Sequence, residues 1–193
     1  MRGFPLVAFI VMLVVGLVGS APAAAQSTGG ATYKSEEELK AEREKRLKPR
    51  AVAGPKATLL PNGLAAAPAE APPQVHAAIY AANAIIGKPY KYGGGHAKIL
   101  DRGYDCSGTV SFALIGAKLL KAPLDSGSFM RWGKRGPGRW ITVYTNPGHA
   151  FAVIAGLRLD TSAAGDPSGA KGPRWRPALR STKGFVARHP AGF

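Results

Sequence analysis

From residue 74 to the C-terminus the apolar residues recur first at helical spacing and then in strand-like alternation, and this order limits the possible folds more than any other feature. Val75, Ile79, Ala82 and Ile86 stand four, three and four residues apart, which is one stripe of a helix. Gly87 follows as its C-cap, and Pro89 prevents continuation. A second helix is expected over 106–120, with Val110, Ala113, Leu114, Ala117 and Leu120 on one face and Asp105 as N-cap. Residues 139–144 read as a strand, 149–155 and 157–161 as two strands around Gly156, and 184–188 as a short last strand. Helices followed by strands, rather than alternating with them, predict an α+β domain with helices packed on an antiparallel sheet.

The preceding residues have a different character. Arg2, the 13 apolar residues 6–18 and the small residues up to Ala25, with Ala23 and Ala25 in an A-x-A pattern, have the layout of a secretory signal peptide over 1–25. The apolar run falls short of the roughly 20 residues that span a bilayer, so cleavage is expected over retention as an anchor. No stable membrane span is expected after it, and the mature protein should be secreted, extracytoplasmic or wall-associated. Residues 26–73 read as a charged helix and a Pro/Ala-rich linker, largely disordered. Ser35 and Glu38 fit a capping box, and the stretch starts with acids and ends with bases, as the helix dipole favours. With only Leu39, Ala41 and Leu47 apolar, this helix has little to pack on. Six prolines from Pro49 to Pro73 mark the tether that follows. The globular domain is expected at 74–193.

The charge belongs to that domain. Of a formal net charge of +15, residues 74–193 carry +12, from 17 Lys and Arg against five Asp and no Glu. An anionic polymer is the natural partner. Behind a signal peptide this means wall polyanions and no nucleic acid.

One cysteine excludes an intramolecular disulfide framework and, with four His, a Cys-rich zinc module. Cys106 lies in the first turn of the second helix, where backbone N–H groups and the dipole favour a thiolate. On position alone a reactive and an inert role both stay open. A cysteine nucleophile needs a base, usually a histidine oriented by a third polar group. His149 opens an apolar strand after Asn146-Pro-Gly, which suits either a base at a sheet end or a plain hydrogen-bonded histidine. If 149–161 is a hairpin with a two-residue loop, Asp160 lies on the face of His149 and can hold its tautomer. A three-residue loop would bring Thr161 round instead. His76 reads as a helix-surface residue, His96 beside three glycines as a loop residue able to line a cleft, and His189 as a residue near the terminus without a role. None has a metal-ligand partner at useful spacing, so neither a metal nor a cofactor is expected.

Three motifs in order carry a resemblance: Gly87-Lys-Pro-Tyr-Lys-Tyr-Gly-Gly94, Tyr104-Asp-Cys-Ser-Gly108, and Gly148-His149 leading an apolar strand. Over residues 74–165 the chain resembles the NlpC-type cell-wall endopeptidases, a bacterial branch of papain-like cysteine peptidases. The resemblance implies a papain-like fold, Cys106 as nucleophile and His149 as base. The third residue of that family lies on the next strand and is commonly His, Asn or Gln; here Asp160 takes the place. Tyr90 corresponds to the tyrosine beside the nucleophile, and Asp105 and Ser107 to residues that help hold the peptide. A second departure is Trp140-Ile-Thr-Val-Tyr-Thr-Asn-Pro147, where the family usually carries Gly-Asp-Leu-x-x-Phe. The implied activity is hydrolysis of an amide bond in peptidoglycan stem peptides, often D-glutamyl to diamino acid. The alternatives are a non-catalytic basic wall-binding module and a Cys-His amidase or acyltransferase on another substrate.

Overall fold

The computed structural model describes residues 34–193, so the expected signal segment 1–25 lies outside the described residues. The charged stretch forms α1 (Glu36–Leu47). Its capping box is complete: Ser35 Oγ accepts from the Glu38 N–H at 3.2 Å, and Glu38 Oε2 accepts from the Ser35 N–H at 2.8 Å. No side chain of α1 is buried. Its C-terminal end is nevertheless tied down, because Asn83 Nδ2 donates to the Leu47 carbonyl at 2.9 Å and the Tyr80 hydroxyl donates to the Pro49 carbonyl at 3.2 Å.

The Pro/Ala-rich segment corrects an expectation. It is built into the body rather than left as a tether, and the boundary expected at residue 74 falls inside packed structure. Strands β1 (Thr58–Leu59) and β2 (Ala65–Ala66) pair antiparallel, and Ala65, Ala66, Ala67 and Ala71 are buried. The physical reason is size. Alanine side chains let this backbone approach α2 (Pro73–Asn83) closely, and Asn83 supplies the hydrogen bonds that such an approach requires. Asn83 Oδ1 accepts from the Ala65 N–H, and Asn83 Nδ2 donates to the Ala65 carbonyl, both at 2.9 Å.

Three of the four expected stripe residues, Val75, Ile79 and Ala82, are fully buried in α2, whereas Ile86 lies beyond the helix end and is half-buried. The helix tightens after Asn83, and Gly87 takes a left-handed φ of 88° at the turn. The second helix is α3 (Cys106–Gly116), shorter than expected because the chain turns at Lys118, whose φ is +59°. A short helix, α4 (Ser126–Phe129), precedes the sheet. Six strands follow: β3 (Lys134–Arg135), β4 (Ile141–Asn146), β5 (His149–Ile154), β6 (Leu157–Asp160), β7 (Arg174–Arg176) and β8 (Val186–His189). They lie in the order β3-β8-β4-β5-β6-β7, with every neighbouring pair antiparallel. The fold is therefore α+β, helices with an antiparallel sheet.

One core joins the layers. Ile79 of α2, Val110 and Leu114 of α3, and Ile141, Val143, Ala152, Ile154 and Leu159 of the sheet are all at most 1% exposed and belong to one cluster. Burying an Ile or Leu side chain contributes about 1.5–3 kcal/mol, so this cluster is the main stabilising term. The helices meet closely at Gly116, where a Cβ would stand 2.3 Å from the Ala81 Cβ. Gly116→Ala is thus expected to destabilise by about 1–3 kcal/mol through forced separation of α2 and α3. Thermal unfolding of the variant checks this, and an unchanged melting temperature would refute the close contact.

The β5–β6 turn decides how the site is assembled. Ile154 pairs with Leu157, leaving a two-residue loop of Ala155 (φ +47°) and Gly156 (φ +80°), both left-handed as a type I′ turn requires. This is the two-residue case foreseen from the sequence. Alternation then puts His149, Phe151, Arg158 and Asp160 on the face opposite Ala152 and Ile154. Residues beyond β6 fold back over that face: Arg180 lies 5.3 Å from the ring centroids of Phe151 and of Phe185, and Asp166 forms an ion pair with Arg176.

Candidate active site

Asp105 organises the start of α3. Its Oδ1 accepts from the Gly108 N–H at 2.7 Å as a helix cap, and its Oδ2 accepts from the Gly93 N–H at 3.0 Å. The 87–94 and 104–108 motifs are thereby joined through one carboxylate. The joint is tight: a Cβ on Gly108 would stand 2.0 Å from the Gly94 carbonyl oxygen, so only glycine fits there. Asp105 and Ser107 are 7% and 4% exposed, and Ser107 Oγ donates to Asp105 Oδ1 at 3.2 Å.

Cys106 is the first residue of α3, largely buried, and a free thiol. The His149 imidazole and the Ala150 backbone are the groups that act on its thiol. On the other side of the imidazole, His149 Nε2 lies 2.9 Å from Asp160 Oδ1, so Nδ1 is the nitrogen left for the thiol. Burial pushes the Cys106 thiol up, but the hydrogen bonds of His149 and Ala150 outweigh it and the net shift is downward. Burial also disfavours the His149 cation, yet Asp160 and Cys106 together raise it from 6.5 to about 9. Both shifts favour a thiolate beside an imidazolium.

Asp160 is buried at 1% exposure. Burial alone would raise its carboxyl; hydrogen bonds from His149, the Ser162 N–H and Arg180 bring it below its ordinary value. Ser162 N donates to Oδ1 at 2.8 Å, and Arg180 Nη1 donates to Oδ2 at 3.2 Å. Arg158, fully buried on the same face, has its Nε 3.8 Å from Oδ2, and no guanidinium nitrogen of Arg158 has a hydrogen-bond partner among the described residues. Asp160 therefore meets two groups, the His149 imidazole and the buried Arg158 guanidinium.

A cleft of about 410 Å³ opens over Cys106 between Tyr90, His96, Ser107, Asp125 and Gly148. Tyr90 is 47% exposed, and burial, then the neighbouring Cys106 and Asp105 charges, hold its phenol above the ordinary value. It is thus a hydrogen-bond donor at the cleft wall. All six residues singled out in the sequence are gathered at one place: Cys106, His149 and Asp160 as a chain, with Tyr90, Asp105 and Ser107 around the thiol. His96, read only as a loop residue able to line a cleft, has a fuller part. Its Nε2 lies 3.0 Å from Asp105 Oδ1 and 3.3 Å from Ser107 Oγ. Three glycines ahead of it were the only sequence signal, since they let the loop fold back on α3. His189 has a structural contact only: its Nδ1 meets the Gly136 carbonyl at 2.9 Å and ties β8 to the turn after β3. Among the described residues no three His, Cys, Asp or Glu side chains converge as a metal-binding group.

No protein-family model matches the chain. No curated protein matches it either. Among solved structures it is similar to the peptidoglycan hydrolase RipB from Mycobacterium tuberculosis, at 21% sequence identity and a TM-score of 0.46. The match covers 62% of this chain and 66% of RipB.

Proposed function

We propose that the protein is a secreted cysteine peptidase with a papain-like catalytic domain, hydrolysing an amide bond in the stem peptides of peptidoglycan. The observation that carries this reading is the alignment of Cys106, His149 and Asp160, with Cys106 lining a cleft, the thiol lowered and the imidazole raised. The three ordered motifs that resemble the NlpC-type endopeptidases support the choice of substrate, and the basic domain suits an anionic wall.

In this mechanism the Cys106 thiolate attacks the amide carbonyl, with the proton held on His149. Developing charge on the carbonyl oxygen is stabilised by backbone N–H at the start of α3 and by the Tyr90 hydroxyl. His149 gives its proton to the leaving amine, and the acyl group remains on Cys106 as a thioester. Water, deprotonated by His149, then cleaves the thioester and returns the thiol. Asp160 holds the imidazole in place through Nε2 and stabilises its cation. Asp105 and Ser107 help hold the peptide.

Digestion of purified muropeptides followed by mass spectrometry tests the activity and identifies the bond. Free amine and carboxyl products from the stem are expected, and stem peptides intact throughout would sink the reading. The pH dependence follows from the two shifts. The reactive pair needs Cys106 deprotonated and His149 protonated, so it is populated above the lowered thiol value and lost as pH rises through about 9. A bell-shaped kcat/KM profile with its alkaline limb near pH 9 is expected, and an activity that keeps rising beyond pH 10 would contradict the ion pair.

A further inference from the structure

The charged helix α1 buries none of its side chains, yet its end is fixed. Asn83 is the reason. It is 2% exposed and bonds four groups: the Leu47 carbonyl at the end of α1, the Ala65 N–H and carbonyl in β2, and the Trp175 Nε1 in β7 at 2.8 Å. One buried amide thus sets α1 and β7 around a common space. That space is a cavity of about 380 Å³, lined by Arg43 and Arg46 from α1, Arg174 from β7, Asn62 and Gly87. Arg43 and Arg46 stand three apart and so share a helix face. Among the described residues no acidic side chain lines the cavity, and it shares no residue with the cleft over Cys106.

We infer that this cavity is a phosphate-binding site, in which Arg43, Arg46 and Arg174 hold a phosphate group of an anionic polymer. Three guanidiniums from two elements suit a group with several equivalent oxygens and more than one contact direction. A carboxylate, with two oxygens, is satisfied by one guanidinium fork, whereas a phosphate accepts from several. The site gives α1 a role that its packing does not. It lies apart from the catalytic chain, so it stands or falls independently of the hydrolytic reading. A phosphate held here would tether the domain to a polyanion while the cleft stays open.

Titration of the full chain with short-chain polyphosphate, at several salt concentrations, tests the site. The double variant Arg43→Gln/Arg46→Gln is expected to bind about tenfold more weakly and to flatten the logarithmic salt dependence by about one to two, as lost phosphate contacts do. Arg174→Gln should weaken binding as well. The control is Lys40→Gln/Lys45→Gln, which removes the same charge from α1 at positions outside the cavity and should change affinity less than twofold. Equal losses in the two double variants would overturn the site in favour of a generally basic surface. Polyglutamate binding as tightly as polyphosphate would overturn the phosphate assignment. Orthophosphate in competition identifies the source: displacement supports a site for the free ion, and retention supports the chain. Muropeptide turnover should be unchanged in Arg43→Gln/Arg46→Gln, which separates failure of this site from failure of the enzyme assignment.

Discussion

Cys106→Ala is expected to lower muropeptide turnover by about 10⁴–10⁶-fold, the range over which removing a nucleophile that acts with its base disables related machinery. The loss should be chemical rather than structural. Cys106 is the first residue of α3, where alanine is well tolerated, and the Asp105 cap that holds the helix start uses its own carboxylate, not the thiol. The missing sulfur leaves a gap of about one atom in a partly solvated wall, so stability should change by less than about 1.5 kcal/mol. Circular dichroism and a melting curve should match the parent, while product formation in the muropeptide assay disappears. Turnover persisting in the variant would remove Cys106 from the chemistry. If neither parent nor variant cleaves but both bind walls with strong salt dependence, the domain is a wall-binding module.

Asp160→Asn has the second large effect, on both rate and stability. The substitution keeps the shape but removes the charge that raises His149 and holds Nε2. Turnover should fall by about 10²–10⁴-fold, because the imidazole loses its orientation and its cation loses its counter-charge. The sign of the pH effect is fixed by the same contact. Asp160 heads the groups that raise the His149 value, so the alkaline limb should move down from about 9 toward 6.5. Stability should fall by about 3–5 kcal/mol, since Arg158 is left fully buried with its nearest counter-ion gone. A melting temperature lower by about 10 °C follows for a domain of this size. Rates are best compared well below that temperature, and the rate of Cys106 alkylation against pH reads the shift without substrate. An alkaline limb that stays in place would show that Asp160 does not act on His149, whatever the change in stability.

Much of the site was legible because local rules govern it. Asp105 ahead of an apolar stripe marks a helix start, and whatever follows the cap stands at the positive end of the dipole, which is Cys106. The pairing of His149 with Asp160 needed only strand periodicity and a turn length, and Gly156 supplied the residue that a tight turn demands. What escaped was set by contacts between distant segments. The Pro/Ala-rich stretch looks like a tether by composition, and only the polar side chain of Asn83, standing 18 residues beyond Ala65, shows why it packs. His96 gives no periodic signal, and its place against Asp105 depends on a loop folding back over α3.

By itself the sequence determined the cap at Asp105, which puts Cys106 at a helix start, and, for a two-residue loop, the shared face of His149 and Asp160, because each follows from periodicity over a few residues. The loop length and the meeting of Cys106 on α3 with His149 on β5 were decided by the tertiary structure. Only the tertiary structure decided that the second face of the sheet is buried. Arg158 and Arg176 would be read from alternation as solvent-facing residues, but the segment after β6 folds across them and leaves both at most 1% exposed. Burial of an arginine is a property of what covers it, and the covering segment is irregular, so no spacing announces it. The same covering layer places Arg180 on Asp160, and it keeps the carboxylate that His149 needs both ionised and out of water.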